Sequence, residues 1–334
     1  MFMGWDLIGH AWAAELLAEH IAQQQIRHAY LITGPLGVGR RTLALRLSQA
    51  VNCLQPPAPG QPCRVCSSCQ QIERMQHPDL AIVQSEPPSI EIKIDQIRQL
   101  QRTLALAPYQ ANYRVALLLR FEEARENAAN ALLKTLEEPA SRVILVLTAE
   151  SAEILPSTIV SRCEHLRLRP VPVKLLSEEL HTQHAIPPDM ARKLAHISAG
   201  RPGYAIRLSQ DEQRLAQRTT WLDEHARMLS STRVERFVYA EAVAKDKDTL
   251  RSLLPVWASL WRDVVLHASG ASVPFTNIDR EAEIITLAER FGLKVAVGAI
   301  ESLEYTSGLI DQYVNARLAA EVLMLDLPRQ WLYN

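Results

Sequence analysis

The chain has 334 residues, 48% of them hydrophobic, with 36 lysines and arginines against 37 aspartates and glutamates, a formal net charge of −1. Near-neutrality excludes the broad positive field that carries nucleic-acid binding, so any DNA contact must be local or made by a partner. The apolar content is enough for two or three domains with cores of their own.

The opening Met1-Phe2-Met3-Gly4-Trp5-Asp6 shows no basic stretch leading into an apolar one, and no apolar run reaches membrane-spanning length. The expected compartment is therefore the cytoplasm. From Trp5 to about residue 165, short apolar runs alternate with helix-like stretches, which predicts an α/β fold with a mostly parallel sheet. The strands expected are Ala29 to Thr33, Leu80 to Gln84, Val115 to Leu119 and Val143 to Leu147. Ligands of such sheets bind at the carboxyl ends of the strands.

The first strand runs into Gly34-Pro35-Leu36-Gly37-Val38-Gly39-Arg40-Arg41-Thr42, the strand, glycine turn and helix start of a Walker A loop. In a working loop the backbone N–H groups cradle phosphate, a lysine reaches the outer phosphates and a hydroxyl holds Mg²⁺. Gly34, Gly37 and Gly39 keep the cradle, but Arg40 stands at the lysine position and Arg41 at the hydroxyl position. A planar guanidinium does not replace a compact ammonium. Thr42 is one residue late, about 100° round the helix axis. A degenerate, non-hydrolysing loop is expected, with only weak phosphate or ATP binding left to its amides.

Four of the five cysteines follow with the spacing C-x9-C-x2-C-x2-C at Cys53, Cys63, Cys66 and Cys69. Four thiolates in one short excursion suit a closed tetrahedral Zn²⁺ site with a structural role. An iron–sulfur cluster is the alternative, but the C-x3-C-P continuation of bacterial ferredoxins is absent. A reducing compartment with a metal fits this pattern better than a disulfide framework.

An ATPase of this architecture needs an aspartate, and usually a glutamate, at the end of the strand Arg114 to Phe121. Leu119 and Arg120 stand there, and the Glu122 and Glu123 that follow read as the solvated start of a helix, the alternative being a shifted register that brings one of them to a metal. Beyond Pro170-Val171-Pro172 the pattern turns helical, with a small unit reaching about Leu208. Leu250, Leu253, Leu254, Trp257, Leu260, Trp261, Val264 and Val265 mark one apolar helix face, which Pro255 should start or kink. Asn315 to Leu327 reads as a final helix.

Asn130-Ala131-Leu132-Leu133-Lys134-Thr135-Leu136-Glu137-Glu138-Pro139 and Ser161-Arg162-Cys163 together resemble the clamp-loader branch of the AAA+ proteins. With the cysteine cluster, His77-Pro78-Asp79-Leu80 and Ile94-Asp95-Gln96-Ile97-Arg98, the resemblance covers nearly the whole chain and is nearest to the delta-prime family of bacterial DNA polymerase III clamp-loader subunits.

It implies three domains: a RecA-like AAA+ core over residues 1–169 with a zinc module at about 53–69, a helical lid over 170–211, and an all-α collar over 212–334 that oligomerises. It implies that Arg162 reaches in trans to a neighbour's ATP, a role guanidinium chemistry supports. Gly203 stands where active members place a phosphate-sensing arginine. The implied partners are the tau or gamma and delta subunits, with the sliding clamp and primer-template DNA engaged through the complex. The rival expectation is an active tau- or gamma-like ATPase, and the loss of lysine, strand-end acids and lid arginine counts against it. A free-standing zinc DNA-binding protein is disfavoured by the neutral charge and by the lack of a basic recognition segment near the cysteines.

Overall fold

In the computed structural model the described residues are 4–86, 91–311 and 315–329. The Met1–Met3 segment read for a leader lies outside them. The chain divides into two compact units, one of Met1–His184 with Gly200–Tyr204 and one of Ala185–Ala199 with Ala205–Asn334. The segment assigned from sequence to a lid, 170–211, therefore contributes to both. No described helix is long and apolar enough to cross a membrane.

The first unit runs α1 (Ala11–Ala22), β1 (Ala29–Thr33), α2 (Arg40–Asn52), α3 (Ser67–Glu73), β2 (Leu80–Val83), α4 (Ile94–Leu104), β3 (Arg114–Leu118), α5 (Glu126–Glu137), β4 (Val143–Ala149), α6 (Ser157–Val160), β5 (Glu164–Arg167) and α7 (Val173–His184). The strands form one all-parallel sheet in the order β2-β3-β4-β1-β5. Alternate side chains go to opposite faces, as the strand repeat demands. Tyr30, Ile32, Val115, Leu117, Ile144 and Val146 enter one core, against α1 and α2. Ala29, Leu31, Ala116, Leu118, Leu145 and Leu147 enter the other, against α4 and α5.

Four of the five strands follow the sequence reading within a residue or two at their ends. The fifth, β5, was not anticipated, because in Glu164-His165-Leu166-Arg167 only Leu166 is buried. It is an edge strand paired on β1, and Thr33 Oγ1 lies 2.7 Å from His165 Nε2 across that pair.

The second unit is helical: α8 (Pro188–Ile197), the later part of α9 (Pro202–Ser209), α10 (Glu212–Ser230), α11 (Arg233–Val243), α12 (Lys247–Ala268), α13 (Glu281–Asp311, broken at Gly292) and α14 (Ala316–Asp326). Helix α12 begins eight residues before Pro255 and runs through it, so the proline does not start the helix. The stripe read from sequence is the buried one, from Leu250 to Val264. Each fully buried leucine on it contributes roughly 1.5–3 kcal/mol.

Two polar side chains fix this core. His225 is fully buried between Trp257 and Trp261, and its Nε2 accepts from Trp261 Nε1 at 2.9 Å. Arg236 is 1% exposed and donates to the carbonyls of Met228, Met324, Leu327 and Pro328 at 2.7–2.8 Å. Those oxygens include helix-end acceptors with no intrahelical donor, so one cation caps α10 and α14 together.

Candidate functional site

The loop after β1 takes the cradle form its glycines permit. Gly34, Gly37 and Gly39 have φ of 146°, 86° and 118°, backbone that side chains rarely adopt. At Gly34 an added Cβ would stand 2.4 Å from the Leu168 carbonyl oxygen, so only glycine fits. The His10 ring Nε2 lies 3.1 Å from the Val38 carbonyl oxygen and steadies the loop from α1's side. Helix α2 starts at Arg40, with its free N–H groups facing the loop.

Arg40 does not project into solvent as a ligand clamp. It is 6% exposed, and its Nη1 lies 3.8 Å from Glu122 Oε1. The expectation that Glu122 is a solvated residue is thereby corrected. The chain leaves β3 through Arg120 in a left-handed conformation (φ 53°, ψ 57°) and makes one 3₁₀ turn, Phe121–Glu123, which buries Phe121 and swings Glu122 toward the loop. Burial raises the Glu122 carboxyl above its ordinary range and lowers the Arg40 guanidinium, the latter partly offset by Glu122 and Glu150.

Neither Arg40 Nη1 nor Glu122 Oε2 has a hydrogen-bond partner among the described residues. Arg41 and Thr42 are exposed, with Arg41 Nη2 3.2 Å from Met75 Sδ. At the strand end, Leu119 is buried, and Arg120 bonds outward to Ser85 and Glu123. Gly203 meets the loop directly: its N–H donates to the Gly37 carbonyl at 2.8 Å, and a Cβ there would stand 3.1 Å from that oxygen.

Arg162 lies on the surface between α6 and β5. Its Nη2 is 2.6 Å from Glu137 Oε1, and its Nη1 donates to the Thr158 carbonyl at 2.8 Å. The Ser161 hydroxyl donates to the same carbonyl at 3.3 Å. Cys163 packs partly against the α5 side of the sheet, and burial pushes its thiol up to about 12, the behaviour of an inert packing residue.

The four clustered cysteines converge, their sulfurs all within 4.8 Å of one another. A tetrahedral ion with Zn–S bonds of about 2.3 Å separates its sulfurs by roughly 3.8 Å, so the set fits a four-thiolate ion. Cys53 ends α2, while Cys66 and Cys69 sit at the start of α3. Backbone N–H groups of Cys63 and Cys66 point at the sulfurs of Cys53 and Cys63, each at 3.3 Å. Burial works against the Cys63 thiolate, but the Cys66 and Val65 amides and the neighbouring Cys53 and Cys66 thiols outweigh it and bring the thiol down to about 7.

A polar network missed by sequence reading anchors the module. Arg46 and Gln49 of α2 both reach Glu73 of α3, and Gln49 Nε2 donates to the Cys69 carbonyl at 2.8 Å. The spacing of Arg46, Gln49 and Asn52 along one helix face was the available signal. Also missed was Asp79, which is 1% exposed. It accepts from the backbone N–H groups of Tyr109, Gln110 and Ala111 and from Arg114 Nη2 at 2.7–3.0 Å.

A phosphate-loop strand flanked by β4 and β5, with β3 and β2 beyond, and helices on both faces define an AAA+ core, here followed by a helical region. The same fold is seen in a gamma subunit-related protein of DNA polymerase III from Thermotoga maritima, with a TM-score of 0.50 and 19% identity, covering 94% of this chain and 97% of that one. Residues 9–172 match the family described as DNA polymerase III, delta subunit. The chain is 35% identical over 199 residues to the delta' subunit of DNA polymerase III from Bacillus subtilis, covering 60% of this chain and 59% of that protein. It is 31% identical over 175 residues to the tau subunit from Salmonella typhimurium, covering 52% of this chain and 27% of the relative. The chain thus spans about six tenths of the delta' relative's length.

Proposed function

We propose that this chain is a delta-prime-like subunit of a DNA polymerase III clamp loader, one that does not hydrolyse ATP itself. It completes a ring of related subunits and offers Arg162 to the ATP of its neighbour. Its partners in this reading are the tau or gamma and delta subunits, and it meets the sliding clamp and primer-template DNA as part of the cytoplasmic complex. The three-domain division at 170 and 212 belongs to the same reading. Zn²⁺ held by Cys53, Cys63, Cys66 and Cys69 stabilises the module between α2 and α3 and takes no part in phosphate chemistry.

The observation that carries the proposal is the pairing of Arg40 with Glu122 in the loop where a lysine would meet phosphate, with Leu119 and Arg120 in place of metal-binding acids. A chain that cannot place Mg²⁺ or an attacking water has no turnover of its own for Arg162 to assist. A guanidinium on the surface can instead stabilise charge on a phosphate brought by another subunit. The tau relative favours the rival reading, an active ATPase, and one experiment separates the two.

The isolated chain is assayed for ATP hydrolysis and then reconstituted with tau or gamma and delta, using wild-type and Arg162→Ala protein. The proposed role gives no turnover from the isolated chain and slower clamp-stimulated turnover from the assembled Arg162→Ala complex. Turnover by the isolated chain that disappears with Glu122→Ala or Glu123→Ala establishes the rival.

A further inference from the structure

The charged groups around the phosphate loop face one another. Arg40 faces Glu122 across 3.8 Å, and Glu150 lies near enough to stabilise the charged Arg40 as well. Glu123, next along the turn, is taken up by Arg120 at 3.1 Å, and Arg41 points away toward Met75. His10 is buried and occupied with the Val38 carbonyl, and burial lowers its affinity for a proton. An anion entering this cradle would therefore find the buried Arg40 already facing a carboxylate, with a second carboxylate beside it.

We propose that the Glu122 carboxylate is a built-in stand-in for phosphate, which closes the loop to polyphosphates by holding Arg40, and that without it the cradle is a competent anion site. The proposal deepens the reading of the loop as non-hydrolysing and rests on it. Three features support a latent site instead of a collapsed one. The glycine backbone retains the φ values of a cradle, and α2 still presents its N-terminal amides to it. The Arg40–Glu122 contact is longer than a hydrogen bond, and Arg40 Nη1 keeps an unused donor. The left-handed Arg120 is held by a bond from its N–H to Thr148 Oγ1 at 2.9 Å, and it is this conformation that delivers Glu122.

The test titrates inorganic pyrophosphate, without Mg²⁺, into the full-length isolated chain by calorimetry, for wild type, Glu122→Ala, Glu122→Gln and the double variant Glu122→Ala/Arg40→Ala. Circular dichroism confirms folding, and Glu122→Gln, nearly isosteric, serves if the alanine variant does not fold. Wild type should bind weakly or not at all. Both single variants should bind at least about tenfold more tightly, the scale expected when one like charge a few ångströms from an anion is removed. The double variant should lose the gain. Equal affinity of wild type and folded Glu122 variants, or a gain that survives loss of Arg40, overturns the proposal. These readouts concern anion binding alone, so the ring role of Arg162 can fail while this proposal holds, and the reverse.

Discussion

The guanidinium of Arg162 rests on the Glu137 carboxylate at 2.6 Å, which joins the motif after β4 to the end of helix α5. Both side chains are substantially exposed, 35% and 50%. A surface pair of this kind contributes about 0–1 kcal/mol to stability. Arg162→Ala should therefore unfold within about 1 kcal/mol of wild type in denaturant titration. In a reconstituted complex it should still slow turnover at the adjoining site, where arginine fingers in other systems are worth roughly 10³–10⁵ and several sites dilute the effect. Lysine should rescue poorly because it loses the fork. Normal turnover in a complete complex would exclude the finger role.

Asp79 should matter to stability far more than its surface neighbours. Burial alone would push its carboxyl up, but the amides of residues 109–111 and Arg114 hold it below the ordinary carboxylate range. A depressed carboxyl contributes stability that is present above the unfolded value near 3.8 and is lost as pH falls through the folded one. Removing one partner of a buried pair costs about 3–5 kcal/mol. Asp79→Asn should show a loss of that size at pH 7 in denaturant unfolding, while a loss below about 1 kcal/mol would mean that Arg114 finds another partner.

Metal content can be read by elemental analysis. One zinc per chain is expected, falling to near zero in Cys66→Ser/Cys69→Ser. Chelation should raise protease sensitivity around the cysteine module before the sheet unfolds, since ion binding there is coupled to local folding. Ligand thiols must shed protons, so zinc retention should weaken as pH falls. Unchanged zinc in the double variant would exclude the proposed ligand set.

His225 supplies a pH signature in the helical unit. Burial, with a smaller contribution from Arg236, lowers its ring from 6.5 to about 3. Below pH 6.5 the unfolded chain takes a proton that the folded one refuses until about 3, so stability falls with acid across that window. The slope is at most about 1.4 kcal/mol per pH unit. His225→Gln keeps an acceptor for Trp261 and should flatten the fall between pH 6.5 and 5 in urea titrations. An unchanged slope would mean that the native core accepts the proton.

Much of this arrangement was legible in the chain. Four strands announced themselves because both sheet faces are covered, which turns strands into continuous apolar runs. The cysteine set and the glycine loop were legible because their chemistry lies in local spacing. Glu122 was not, because its burial comes from the left-handed turn at Arg120 and not from any apolar pattern. Strand β5 escaped for the opposite reason, being an edge with one buried side chain. Asp79 gave only a hint in His77-Pro78-Asp79, since its acceptor role depends on a loop some thirty residues later.

Arg236 has a consequence for how the protein is made. Its acceptors come from Met228 just before it and from Met324, Leu327 and Pro328 far beyond it. During synthesis the cation emerges long before most of the carbonyls that will surround it. Until Pro328 has left the ribosome the helical unit cannot close without stranding a charge in its core, so nascent chains halted before Met324 should expose apolar surface and depend on chaperones.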